Sequence, residues 1–269
     1  MMDIVKAKTD IVFKMLFTDK DNHDVLQGFV SDILDIPYDD ITDIVIENSE
    51  ITPDEIDGKF TRFDLKITAA GRLINVEIQV VNLGDFRERS LYYWSQRYGR
   101  QLKKGQRYDE IMPTISINIV NFNMFKTDSY YSEFTMADLE HGEILTDKCK
   151  LFYFELPKLD KNYDENDKKK AWMQLINSES EGDLDMLAER THEPAIHRGV
   201  TILKTYSADE KVRMMAEKRE ETLREELSAL NFATQQGRRE GEDAALNAMR
   251  ELGIDKAVLD AVKERLKNR

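Results

Sequence analysis

The chain is poor in cysteine, in long apolar runs and in positive charge, and each shortage narrows what it can be. Cys149 is the only cysteine in 269 residues, which excludes an internal disulfide and any cysteine-based zinc site and suits a reducing compartment. The first ten residues, MMDIVKAKTD, contain no apolar core of signal-peptide length, and no run approaches the roughly 18 apolar residues of a membrane span. A soluble, cytoplasmic protein is expected. Lysine and arginine number 39 against 52 aspartates and glutamates, a net charge of −13, so the molecule as a whole repels nucleic acid and anionic membranes. Any nucleic-acid site therefore needs a local basic patch. There is no Walker-type loop and no dinucleotide fingerprint. His192-Glu193 and His197 superficially resemble a zinc helix, but the spacing is five rather than four and Pro194 intervenes, so the two imidazoles do not share a helical face.

What is present is a globular composition, 41% apolar, with length for one or two domains and a real core. Residues 60–81, FTRFDLKITAAGRLINVEIQVV, organise the rest. Phe63, Leu65 and Ile67 alternate with Arg62, Asp64 and Lys66, and Ile74, Val76, Ile78 and Val80 alternate with Asn75, Glu77 and Gln79. Period two over both arms predicts a hairpin. A loop of Ala70-Gly71, or the wider 69–72, gives one register, with Asp64 directly opposite Glu77. Facing like charges destabilise a strand pair by up to roughly 1 kcal/mol, so this pairing invites a cation between them.

Around the hairpin the chain alternates helices and strands. Helices are expected over residues 8–18, capped by Thr9 or Asp10, and over 24–34, followed by a weak strand at 41–46. A long helix is expected over 85–108, with Leu91, Trp94, Tyr98 and Leu102 as its apolar stripe. That segment holds the basic patch: Arg87, Arg89, Arg97, Arg100, Lys103, Lys104 and Arg107 against only Asp85 and Glu88. Strands follow at 112–122, 130–136 and 151–156. The remainder reads as a charged connector at 160–170, helices at 171–176, 184–190 and 196–205, and a long charged helix at 209–236. Two short helices at 244–252 and 256–266 flank Gly253, more like a helical hairpin than a DNA-reading helix-turn-helix. The expected division is a domain of residues 1–160, a helical segment of 161–206 and a charged helical extension of 207–269, through which the chain could form a homo-oligomer.

Asp64, then Glu77-Ile78-Gln79 across a hairpin, resembles the core of the PD-(D/E)XK nuclease superfamily in the variant where ExQ replaces ExK. The opening Lys8-Thr9-Asp10-Ile11-Val12-Phe13-Lys14, the run from Asn75 to Gln79, the helix with Phe86, Arg89 and Tyr93, and the strand after Tyr108 are similar to the recombination-promoting nuclease, or transposase, family of bacteria. The resemblance covers residues 6–160. It implies an α/β fold of the restriction-endonuclease-like kind, a central mixed sheet flanked by helices, with an α-helical C-terminal extension. It implies a metal-dependent DNA endonuclease associated with recombination or transposition, with Mg2+ as cofactor and DNA as partner. Asp64 and Glu77 then bind the metal with the Ile78 carbonyl, and Gln79 stands where a lysine is usual. Lys66, on the same strand face as Asp64, is a candidate to supply the missing charge, and Asp10 is a helix cap or, alternatively, helps bind the metal. Arg87, Arg89, Tyr93, Arg97, Arg100, Lys103 and Lys104 are the nucleic-acid-binding candidates. The alternative is a nuclease fold that binds nucleic acid or protein without cutting.

Overall fold

The computed structural model describes residues 4–47, 64–160, 164 and 166–267. Among these, six strands form one mixed sheet in the order β1-β2-β3-β4-β6-β5: β1 Val45–Ile46, β2 Asp64–Ala69, β3 Arg72–Gln79, β4 Thr114–Val120, β5 Tyr131–Phe134 and β6 Cys149–Glu155. β3, β4 and β6 run parallel, β2 and β5 flank them antiparallel, and β1 pairs antiparallel with β2. The helices are α1 Asp10–Thr18, α2 His23–Leu34, α3 Phe86–Gly99, α4 Lys168–Asn177, α5 Glu181–Arg190, α6 Pro194–Ala208, α7 Glu210–Glu251 and α8 Lys256–Lys267. This is the restriction-endonuclease-like α/β arrangement expected from the sequence. Residues 60–63 of the anticipated first hairpin arm lie outside the described residues.

The β2–β3 turn is Ala70-Gly71, both at positive φ (49° and 67°). Such a two-residue turn matches the twist of the strands it joins, and it sets the register Asp64↔Glu77, Lys66↔Asn75 and Ile67↔Ile74. Period-two alternation then sorts the side chains by face. Leu65, Ile67, Ile74, Val76, Ile78, Ile115, Ile117, Ile119, Phe152 and Phe154 join the main core with α1, α2, α4 and α6. The opposite face carries a smaller cluster in which Phe86 and Trp94 of α3 meet Val120, Cys149, Leu151 and Tyr153. The Trp94 indole donates to the Thr114 carbonyl at 2.7 Å and Ser90 bonds the Tyr153 hydroxyl at 2.7 Å, so α3 is pinned over the face that bears Glu77.

Several elements differ from expectation. α3 stops at Gly99 instead of continuing to residue 108, because Gln101 turns inward, donating to the Met112 carbonyl and accepting from the Met112 amide. Lys103, Lys104 and Arg107 consequently lie in a loop, which Gly105 turns at φ +92°. Leu91, placed on the buried stripe by spacing, is half exposed. β1 has two residues where six were expected. α7 continues through Gly237 and Gly241 to Glu251, so residues 244–251 are its last turns and not a separate helix. No described helix is long and apolar enough to cross a membrane.

The chain divides into two compact units, Met1–Glu220 and Glu221–Arg269, with the boundary inside α7. In the first unit Arg219 of α7 is 1% exposed and forks onto Asp10: its Nε donates to Oδ1 at 2.9 Å and its Nη2 to Oδ2 at 2.6 Å. Asp10 also accepts from the Ile11 amide, while the N-cap residue Thr9 makes no side-chain cap bond. The carboxylate at the start of α1 thus serves chiefly as the partner of a buried arginine and not as a simple cap.

Candidate active site

Glu77 lies mid-strand in β3, 3% exposed, with Asp64 opposite it in β2 and Asn118 opposite it in β4. The Asp64 side chain is outside the described residues, so its position is given by Cα register alone. Gln79, two residues on, is half-buried. Its Nε2 donates to the Val81 carbonyl at 2.9 Å, and its Oε1 accepts from Arg89 Nη2 at 2.7 Å. The same Nη2 lies 3.4 Å from Glu77 Oε1. One guanidinium from α3 therefore joins the acid and the amide of the ExQ pair.

Arg89 is held from several directions. Asp85 Oδ1 is 3.8 Å from its Nη1, the Phe86 ring lies 5.0 Å below its guanidinium, and its Nε is buried without a hydrogen-bond partner. Tyr93 and Arg97 follow at i+4 and i+8 along the same helix edge. Arg97 pairs with Glu47 and reaches the Ile67 carbonyl at 3.4 Å, and its Nε is likewise buried and unpaired. Between this edge and the hairpin runs a groove of about 550 Å³, lined by Lys66, Asn75 and Glu77 on one side and Tyr93, Arg97 and Arg100 on the other. The field of Glu77 reaches beyond it. Burial raises the Tyr153 hydroxyl above the ordinary tyrosine range, the Ser90 bond lowers it, and the Glu77 charge raises it again.

The sequence candidates thus separate. Glu77, Lys66, Tyr93, Arg97 and Arg100 line the groove, and Gln79 and Arg89 are tied to it through the Arg89 contact with Glu77. Ile78 is buried, with its side chain in the main core. Arg87 stacks over the Phe125 ring at 4.7 Å, and Lys103 and Lys104 are exposed in the loop beyond α3, outside the groove lining. Asn75 and Glu47 line the groove without having been anticipated. Asn75 was legible, two residues from Glu77 on the same face. The Glu47–Arg97 pair joins residues far apart in sequence and left no local signal.

A sequence model of the PD-(D/E)XK nuclease family transposases matches residues 7–233. The chain belongs to this family. No curated protein and no solved structure matches it. The PD-(D/E)XK match takes in the hairpin, α3 and both partners of the Asp10–Arg219 pair, and it makes the chain a nuclease-like or transposase-related protein. PD-(D/E)XK nucleases generally use divalent metal ions, and the donors here are of the matching hard kind: the Glu77 carboxylate at the groove, Asp64 in register with it, and main-chain carbonyl oxygen. Among the described residues no three His, Cys, Asp or Glu side chains converge. A hard cation held by one or two carboxylates keeps its other positions for water and phosphate, so this sparse donor set fits.

Proposed function

We propose that the protein is a divalent-metal-dependent endonuclease that hydrolyses DNA phosphodiester bonds, with Mg2+ as its cofactor, in recombination or transposition of mobile elements. One juxtaposition carries the reading: a buried strand carboxylate, in register with a second and 3.4 Å from the Arg89 guanidinium, beside a groove whose facing wall is a helix edge of Tyr93, Arg97 and Arg100. Glu77 and Asp64, with the Ile78 carbonyl, would hold the ion. Bound there, it would polarise a phosphoryl oxygen and lower the pKa of its water.

The chain's own residues supply the rest. Gln79 is neutral, so it orients a water by hydrogen bonding but brings no charge. Arg89, donating to Gln79 Oε1, brings to this position the charge that a lysine carries elsewhere in the superfamily, and Lys66 adds a second cation across the groove. Tyr93, Arg97 and Arg100 receive the phosphates of the strand being cut. A preorganised cation aimed where negative charge develops is worth about 10²–10³ in rate.

A second reading is a nuclease fold that binds without cutting, and Arg89 favours it too, because a guanidinium 3.4 Å from Glu77 Oε1 balances that carboxylate without any metal. Incubation of plasmid DNA with the protein and Mg2+, beside Asp64→Ala and Glu77→Ala, separates the two. Cleavage lost in both variants supports the nuclease; salt-steep DNA binding with no Mg2+-dependent product supports the alternative.

A further inference from the structure

The first unit carries a surface that the nuclease site does not use. Residues 135–147 continue from β5 as an ordered hairpin: Ala137 bridges Ile144, the Leu145 amide donates to the Met136 carbonyl at 3.0 Å, and Gly142 at φ +72° closes the tip. Asp138 stiffens that tip, accepting from the Glu140 amide at 2.9 Å and bonding His141 Nδ1 at 2.6 Å. Phe134 packs on Phe125 and Tyr153 at the start of this hairpin, and the apolar side chains beyond it project from the core. Leu139 is fully exposed, Leu145 and Ile144 are 77% and 60% exposed, and Phe134 and Met136 are 43% each. A contiguous exposed apolar patch marks an interaction site.

Its charge excludes nucleic acid. Residues 133–147 contain Glu133, Asp138, Glu140, Glu143 and Asp147 and no lysine or arginine, and of these Glu133 is paired with Lys150 at 3.0 Å. Immediately beside it is the reverse. Lys148, at the hairpin base, donates to the carbonyls of Asp109 and Ile111 at 3.0 and 2.6 Å, which holds it against the segment that follows the 100–107 loop. Of the cations in that loop Arg100 lines the groove and the Arg107 guanidinium pairs with Asp109, which leaves Lys103 and Lys104 as its exposed charges, and Tyr108 at its end is 85% exposed. Acidic-apolar and basic-aromatic halves therefore abut on one surface. A two-fold axis between two such surfaces lays each acidic half on the other copy's basic half, the self-complementarity an isologous dimer requires.

From this we infer that the occupant of the hairpin surface is a second copy of the chain, docked through the 133–147 hairpin and the 101–107 loop that carries Lys103 and Lys104. The inference is independent of whether the groove cuts DNA. It assigns Lys103 and Lys104 to subunit contact, leaving Arg97 and Arg100 at the groove.

Sedimentation velocity of the full chain, over about 1 to 100 μM because association is concentration-dependent, gives a dimer that weakens with added salt. Glu140→Lys/Glu143→Lys and Lys103→Glu/Lys104→Glu each raise the half-dimerisation concentration by roughly tenfold or more, since like charges now meet. Mixed one to one, the two variants dimerise with each other, because both contacts in the mixed pair are again between opposite charges. Circular dichroism matching wild type shows that each variant is folded. A wild-type monomer throughout this range, a dimer indifferent to both reversals, or no recovery on mixing overturns the inference.

Discussion

The Asp10–Arg219 pair offers a prediction whose size follows from geometry. Both side chains are almost wholly buried, the guanidinium is forked onto both carboxylate oxygens, and the partners join the start of α1 to α7 within the first unit. Removing one partner of a buried pair leaves an uncompensated charge and costs about 3–5 kcal/mol. Arg219→Ala and Asp10→Ala should each lose that much stability. At about 2–4 °C per kcal/mol for a chain of this size, the expected fall in Tm is about 6–20 °C. Both tryptophans, Trp94 and Trp172, lie in the first unit, so their fluorescence in a denaturant titration reports that unit's unfolding directly. Asp10→Leu/Arg219→Leu should lose far less than the two single losses combined, because it removes both buried charges and fills the space with apolar atoms. A single variant within about 1 kcal/mol of wild type, the range of a surface ion pair, would refute the view that this pair anchors α1.

Three further outcomes are expected. Arg89→Gln lowers Mg2+-dependent cleavage by about 10²–10³ yet tightens Mn2+ binding in a calorimetric titration, since the guanidinium beside Glu77 no longer competes; weaker Mn2+ binding would contradict this placement. Gly28→Ala destabilises by about 1–3 kcal/mol, because its Cβ falls 2.3 Å from that of Ala195 and α2 and α6 must part; an unchanged Tm in differential scanning fluorimetry would show that the crossing is looser. Burial raises the Asp32 carboxyl above its ordinary 3.8, with the Trp172 indole bond and Lys168 pulling it back. The folded chain then holds that proton more tightly than the unfolded one, so Asp32's contribution to stability is greatest in acid and declines as pH rises from 3.8 through the folded value. Asp32→Asn keeps an oxygen for the Trp172 indole and should flatten that part of the stability curve, and an unchanged slope would show that another group sets it.

The hairpin and its register were legible in the sequence because a period of two and a symmetric turn leave one way to pair Asp64 with Glu77. The alternation also announced which residues share the face of Glu77, Asn75 among them. Long-range pairing was not legible. Nothing local to Asp10 signals a partner in α7, and spacing alone made it a cap or a ligand. The basic segment shows the same limit from the other side: composition found the patch, but not that Arg89 is engaged by Gln79 and Glu77, that Arg97 is engaged by Glu47, or that the helix ends at Gly99. Helix ends depend on competing bonds such as those of Gln101, which come from a strand that follows later. The exposed hairpin at 135–147 was hidden for a simpler reason. Its apolar residues look like core residues until the fold leaves them outside.

The central claim concerns the pair that faces across the β2–β3 hairpin. The most direct measurement is Mg2+-dependent cleavage of plasmid DNA by the wild-type chain and by Asp64→Ala and Glu77→Ala, each confirmed folded. The account predicts nicked or linear product from wild type, none without the metal, and a loss of at least about 10² in rate in both variants. Cleavage that survives either substitution, or proceeds unchanged without divalent metal, would contradict it.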